Sequence, residues 1–498
     1  MSSSKKLKIN TIMGLLSQIT TCICGFIVPK LIIGYYGSEV NGLVVSITHF
    51  LSFISLAQCG IGVVIQASLY KPLAEGDMDQ ISRVVISSDR FFRRIGLILT
   101  VYVAGLTVLY PILVDASFGF WQTSFLVLAL SIKTFVQYYL CMTYRLLLIA
   151  DQKGYIQLTL QIIMQIATTF VCVLMAYIDA PIYLLKLCTS LVLVCEPLIL
   201  LTYVKRHYQI NKKLRLNGEP IKQKWNGLAQ HLAYVVLENT DTVVLTLLST
   251  LQNVSVYNVY YLAVNGIRTI ITAAITGLQS YFGNLYAKGE KNELLRAFSV
   301  CEWLMHAAVT TLYTCTCVLI VPFVQVYTKG VSDAQYIVPA FGLLISIAQM
   351  TYCIRMPYNA IIMSAGHFKQ TQSSAIIEAA LNVVISVVLV FYFGLIGVAI
   401  GTLVAMTYRT VYFAFYLRKN ILNRPLWHFA KHIVIDAASM AVSIILCSAM
   451  RMHAVSYLDW VVLALKVTPV IAVVIFGINI ICYPKIVKVL RKKSSAVL

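Results

Sequence analysis

Runs of about twenty consecutive, largely apolar residues recur from one end of this chain to the other, and about twenty residues of helix are what a bilayer core roughly 30 Å thick demands. A sequence written this way has few options. Lipid offers no partner to a backbone N–H or C=O, so each run must satisfy its own groups, which an α-helix does and an isolated strand cannot. The alternating segments of about ten residues that mark a membrane β-barrel are not the pattern here. Composition agrees, with 59% of the 498 residues hydrophobic and 12% charged, against about 25% charged in soluble domains. The expectation is an all-α polytopic membrane protein.

Fourteen spans are expected, at about 9–34, 41–69, 93–114, 119–148, 156–178, 181–204, 226–250, 255–286, 297–327, 335–364, 371–393, 394–417, 432–452 and 458–483. The amino terminus "MSSSKKLKIN" has the basic start of a signal peptide, but no small-residue cleavage site follows, so it is expected to stay as span 1. The 13 cysteines sit singly in apolar runs, without ligand partners at metal spacing, and read as small core residues. No metal or cofactor is expected.

A net charge of +20 raises the question of nucleic acid, and its distribution argues against it. Most Lys and Arg fall in the two termini and in loops after even-numbered spans; only Lys30, Lys329 and Arg451 fall at odd-numbered loops. That asymmetry places both termini and the basic loop Lys205–Lys224 in the cytoplasm, facing anionic membrane lipids. The stretch "DQISRVVISSDRFFRR" before span 3 has apolar residues at helical spacing among charges, and the expectation is a short helix lying on the cytoplasmic surface.

The chain also repeats itself. "SLYKPLAEGDMDQI" from Ser68 is echoed by "NLYAKGEKNELL" from Asn284, Asn41 aligns with Asn258, and "YRLLLIADQKGYIQ" from Tyr144 aligns with "YNAIIMSAGHFKQT" from Tyr358, all at nearly one offset. The expected organisation is a six-helix half at 1–210 with a basic linker to about 225, a second at 226–424, and two extra helices with a basic tail at 425–498. Six is even, so both halves run the same way through the membrane in a V-shaped bundle, with a binding cleft between them.

The stretch from Gly37 to Asp77, "GSEVNGLVVSITHFLSFISLAQCGIGVVIQASLYKPLAEGD", the "YRLLLIADQKGY" turn and the "NTDT" of span 7 resemble the bacterial polysaccharide flippases of the multidrug/oligosaccharidyl-lipid/polysaccharide exporter superfamily. The resemblance implies a transporter of the bacterial cytoplasmic membrane that moves an undecaprenyl-pyrophosphate-linked oligosaccharide to the outer leaflet by alternating access. It also implies a lipid-tail groove shaped by spans 13 and 14, and work alongside the glycosyltransferases and polymerase of one pathway.

Such a cargo has an anionic diphosphate head, so buried cations are the first candidates for its receptor. The spans contain Lys133, Arg145, Lys186, Arg268, Arg355, Arg409 and Lys466. Arg268 is the deepest cation of span 8, a span in which the resembling peptidoglycan-precursor flippases place a cavity arginine. Arg355 sits beside Pro357, which frees backbone groups in a helix. A guanidinium fork suits a diphosphate, so Arg268 and Arg355 lead as substrate-binding residues, with Arg145 and Arg409 behind them. The bland alternatives are an ion pair inside the bundle for Arg268 and snorkelling to the interface for Arg145, Arg409 and the lysines. His49 and His231 read as hydrogen-bonded bundle residues, and span 1 offers only Gln18 where a charged first span would carry an arginine or an acid.

Two acids, Glu238 and Asp241, interrupt span 7 three residues apart, which places them on neighbouring positions of one helix face. Three uses are open: pairing with an arginine such as Arg268, binding a coupling cation such as sodium, or carrying a proton. The expectation pairs Asp241 with an arginine and gives Glu238 the exchange of a proton or cation, beside a purely structural ion-pair network. Rival classes lack what they need. A cation-coupled multidrug exporter of the same superfamily is expected with twelve spans and, in its commoner branch, an acid in span 1. A membrane polymerase or ligase needs a large loop holding catalytic groups, and no phosphate-binding glycine loop for nucleotide occurs. The chain is not expected to be an enzyme.

Overall fold

In a computed structural model that describes residues 3–58, 61–114, 117–211, 214 and 228–484, the chain is helical throughout, with no strand among the described residues. Most of the basic loop after span 6 and the carboxyl-terminal basic tail lie outside the described residues. Two compact units divide after Ser255.

The first unit holds α1 (Ser3–Tyr36), α2 (Ser38–Ser52), α3 (Ile61–Glu75), α4 (Met78–Leu113), α5 (Phe120–Val136), α6 (Met142–Ala150), α7 (Gly154–Tyr177), α8 (Ile182–His207), α9 (Leu228–Leu248) and the start of α10 (Leu251–Ala287). The second takes the rest of α10, then α11 (Lys291–Tyr327), α12 (Pro339–Ile354), α13 (Met356–Ser364), α14 (Phe368–Phe393), α15 (Leu395–Leu417), α16 (Trp427–Cys447) and α17 (Tyr457–Cys482).

Eleven of these helical stretches are long and apolar enough to cross a membrane. They cover the expected spans 1 to 6, 9 and 11 to 14. Expected spans 7, 8 and 10 are not among them; for span 10 the reason is Pro357, which cannot donate a backbone N–H and whose ring crowds the preceding turn, so the run breaks at Arg355 into α12 and α13, each too short alone. On α4, Leu99 and Val103 are buried while Leu97, Val101 and Ile112 on the other side are 62%, 75% and 66% exposed, an apolar face of the kind that lipid covers.

α4 also corrects one expectation. The stretch before span 3 is not a separate helix on the membrane surface but the first turns of a 36-residue helix, started by Asp77, whose carboxylate caps the Gln80 amide at 2.9 Å. The reason is a continuous stripe: Ile81, Val84, Val85 and Phe92 are buried and the same face runs on through Ile95, Leu99 and Val103. With no proline between, the surface helix and the span are one rod.

The repeat seen in the sequence has a counterpart in backbone geometry. α6 and α13 are both nine residues long and start at the aligned Met142 and Met356. Each follows a fault in the helix before it, a π-turn at Gln137–Cys141 in one case and the break at Arg355 in the other. Left-handed turns recur at matching places: Gly76 and Gly289 (φ 71° and 72°), Gln152 and Gly366 (56° and 75°), Asp179 and Gly394 (50° and 53°).

Candidate functional site

The second unit gathers its buried charges around one helical hairpin. α14 and α15 are joined at Gly394, and small residues then let them close up: a Cβ on Gly397 would stand 2.2 Å from the Leu389 carbonyl oxygen, and one on Gly401 would stand 2.3 Å from Ser386 Oγ. Gly397, Gly401, Ala405 and Arg409 are spaced four apart and share one stripe of α15; Glu378, Asn382 and Ser386 share the facing stripe of α14. With Gly401 against Ser386 and Asn382 Nδ2 donating to Thr402 Oγ1 at 3.0 Å, the antiparallel register delivers Arg409 to Glu378, Nη1 to Oε2, at 2.6 Å.

α12 packs on the same hairpin, with Thr410 Oγ1 donating to the Thr351 carbonyl at 3.2 Å. Arg355, at the α12–α13 break, donates from Nη1 to the other oxygen of Glu378. One carboxylate, 1% exposed, therefore holds two guanidiniums. The Tyr352 ring, one turn before the break, takes the Arg355 guanidinium over its face at 4.6 Å and the Arg268 guanidinium at 3.9 Å. Arg268 and Arg355 are 6% and 3% exposed, and Arg409 also lies over Phe413 at 5.0 Å.

Three of the four candidate arginines are thus brought together. Arg409 turns inward instead of snorkelling, because a carboxylate waits on the facing helix. Arg145 is not part of this cluster. It lines a cavity of about 120 Å³ in the first unit with Lys133, Glu196, Gln157, Gln161 and Gln165, beside the π-turn that precedes α6. Asp241 is buried and Glu238 half-buried on α9. The neighbouring face of that helix is bonded to α2 and the turn after it: Asn239 Oδ1 meets His49 Nδ1 at 2.8 Å and accepts from Ser52 Oγ at 2.6 Å, and Thr246 Oγ1 donates to Ser46 Oγ at 2.8 Å. His231 Nε2 lies 2.9 Å from the Ser55 carbonyl oxygen. Both histidines are thus hydrogen-bonded within the bundle.

Sequence reasoning missed Glu378. A search for an anion receptor weighs cations, whereas the signal was an acid inside an apolar run, "SSAIIEAALN", followed by the small-residue spacing "GVAIG" on the next helix.

Chemically, the cluster is a set of preorganised donors out of water. A guanidinium carries five N–H groups, and Glu378 engages Nη1 of Arg355 and Nη1 of Arg409. Arg409 Nε is buried without a hydrogen-bond partner. Such an arrangement suits a planar or tetrahedral oxyanion.

No family model matches the chain, and none of the curated proteins matches it. Solved structures do match. The lipid II flippase MurJ, in an inward closed conformation, is similar with a TM-score of 0.67 and 12% identity over 94% of this chain and 99% of that one. An inward-facing multidrug resistance MATE family transporter of the MOP superfamily is similar with a TM-score of 0.58 and 14% identity over 83% of this chain and 95% of its own. The MATE multidrug transporter DinF-BH gives a TM-score of 0.58 and 13% identity over 85% of this chain and 98% of its own. The chain is a multi-pass helical membrane protein with the fold of this flippase and these transporters.

Proposed function

We propose that this protein is a flippase of the bacterial cytoplasmic membrane that carries an undecaprenyl-pyrophosphate-linked oligosaccharide from the cytoplasmic to the outer leaflet, for cell-surface polysaccharide export. In this reading the chain has fourteen spans with both termini cytoplasmic, and its two six-helix halves work by alternating access. The observation that carries it is the convergence of Arg268, Arg355 and Arg409 on Tyr352 and Glu378. Arginine forks give a diphosphate bidentate bonds. Glu378 keeps two of them aimed and offsets one of their two charges while no cargo is bound, and an incoming diphosphate competes with it for their N–H groups. The matching faults and left-handed turns of the two units support the repeat on which alternating access relies. Glu238 and Asp241 are assigned to coupling or to an ion pair in the other unit.

The test is polymer export in cells. Arg268→Ala with Arg355→Ala should abolish export while the protein stays in the membrane, and lysine at the two positions should restore only part because it lacks the fork. Full export by the double alanine variant would remove both residues from the site.

A further inference from the structure

Between α11, α16 and the end of α17 lies a second buried ionisable cluster that the arginine site does not use. Glu302 and His306 stand one turn apart on α11, and His432 and Asp436 one turn apart on α16. His306 Nδ1 is 2.5 Å from Asp436 Oδ2, and its ring stacks on that of His432 with centroids 4.5 Å apart and planes at 24°. His432 Nε2 is 3.5 Å from Glu302 Oε2, and its Nδ1 is 2.9 Å from the Tyr483 hydroxyl. Glu302 also accepts from Arg424 and from the Tyr358 hydroxyl. None of Glu302, His306, His432 and Asp436 is more than 2% exposed.

The remaining charged groups facing the cluster come from α16. Lys431, partly exposed, donates to the Cys482 carbonyl at 2.8 Å and lies over the Tyr483 ring; His428 is exposed one turn before His432. On α11 the Cys301 thiol is a further titratable neighbour, adjacent to Glu302 in the chain.

The charges in this dry space do not balance by themselves. Of the groups bonded within the cluster, Glu302 and Asp436 bring two negative charges and Arg424 one positive; Lys431 is partly exposed and bonded outside it, to the Cys482 carbonyl. With both imidazoles neutral, one negative charge is left over where water cannot screen it. A single proton on the stacked pair closes the balance. A second proton would set two cations face to face at ring-stacking distance, which the same low dielectric forbids. His306 Nε2 is buried without a hydrogen-bond partner, so a proton can take that position without breaking the bond to Asp436.

The cluster also has a door. Glu302, Arg424 and His428 line a small cavity of about 20 Å³, enough for about one water. Arg424 further lines an open cavity of about 830 Å³ with Arg418 and Lys419.

We propose that Glu302, His432, His306 and Asp436 form a one-proton binding site that ties protonation to the docking of α16 and α17 on α11. A proton enters from the Arg424 end, is taken by the Glu302 carboxylate, passes to His432 Nε2 and settles on the pair. When it leaves, the uncompensated charge loosens the two carboxyl-terminal helices. This site uses neither Glu238 nor Asp241, and its test needs no cargo, so it stands or falls separately from the flippase reading.

The experiment is ¹⁵N NMR of the full chain in lipid nanodiscs, labelled at the histidine ring nitrogens and followed from pH 5 to 9. One imidazolium shared by His306 and His432 is expected at neutral pH, titrating away on the alkaline side. Hydrogen exchange in α16 and α17, corrected for intrinsic rates, should rise at least tenfold over the same pH interval. Asp436→Asn and Glu302→Gln each remove one negative charge, so each should lose the imidazolium at neutral pH. Should either variant fail to insert, the wild-type titration and exchange decide alone. Two imidazoliums, none, one that persists from pH 5 to 9, or exchange that ignores the titration would overturn the proposal.

Discussion

Replacing Glu378 with Gln keeps the shape of the side chain and removes its charge, leaving Arg355 and Arg409 facing each other in a buried space. The three side chains are only 1%, 3% and 12% exposed, so solvent does little to screen the two guanidiniums. Removing one partner of a buried pair costs about 3–5 kcal/mol. For a unit of this size, with about 2–4 °C lost per kcal/mol, the thermal midpoint of the solubilised protein should fall by roughly 6–20 °C. The control removes the charges together. Arg355→Met, Glu378→Leu and Arg409→Met combined remove the acid together with both guanidiniums bonded to it, so the midpoint should return to near the wild-type value, while polymer export should be lost with the guanidiniums. The assay is loss of the monodisperse peak on size-exclusion chromatography after heating, read beside export in cells. A Glu378→Gln midpoint within about 2 °C of wild type would refute the charge argument, and export by the apolar triple variant would refute the role of the arginines.

Two further outcomes rest on separate features. Gly401→Ala places a Cβ 2.3 Å from Ser386 Oγ and 2.9 Å from its backbone nitrogen, so the α14–α15 hairpin must open at a cost of about 1–3 kcal/mol; Gly477→Ala, with nothing within 4 Å, is the matched substitution that should leave the same thermal midpoint unchanged or slightly higher. Outside the membrane, burial by itself would raise the Asp151 carboxyl, but hydrogen bonds from Lys153 and Tyr208 and the charges of Lys153 and Lys6 outweigh it and hold the group below its usual range. A depressed folded-state value means that its stabilisation is complete above the unfolded carboxylate range, near pH 4, and is lost as pH falls through the lower folded value; thermal midpoints measured from pH 6 to 3 should therefore fall more steeply for wild type than for Asp151→Asn.

What was legible in the sequence was whatever depends on residues close together in the chain. An apolar run long enough to cross lipid announces a helix because the backbone must satisfy itself within that run, and nothing elsewhere in the chain can change that demand. The repeat was legible for the same reason, since a turn needing a left-handed residue is written locally, as at Gln152 and Gly366. Arg268 and Arg355 stood out because a cation in an apolar run is visible without knowing its neighbours. A surface helix expected at Asp79 to Arg94 failed because the decision between lying on a membrane and continuing into it rests on what covers Ile81, Val84, Val85 and Phe92, which are buried against the rest of the first unit.

The partners were decided only by the tertiary structure. Glu378 meets Arg355 and Arg409 across 23 and 31 residues of chain, and His306 meets Asp436 across 130. Those distances are set by helix register, which here follows from how closely Gly397 and Gly401 let two helices approach and from where Pro357 breaks a third. Register selects among many pairings that composition leaves equivalent. That is why the same four arginines, alike in sequence, part company in space: three meet around Tyr352 and Glu378, and Arg145 lines a cavity of its own unit, because a side chain's partners are fixed by the helices packed against it and not by the run that carries it.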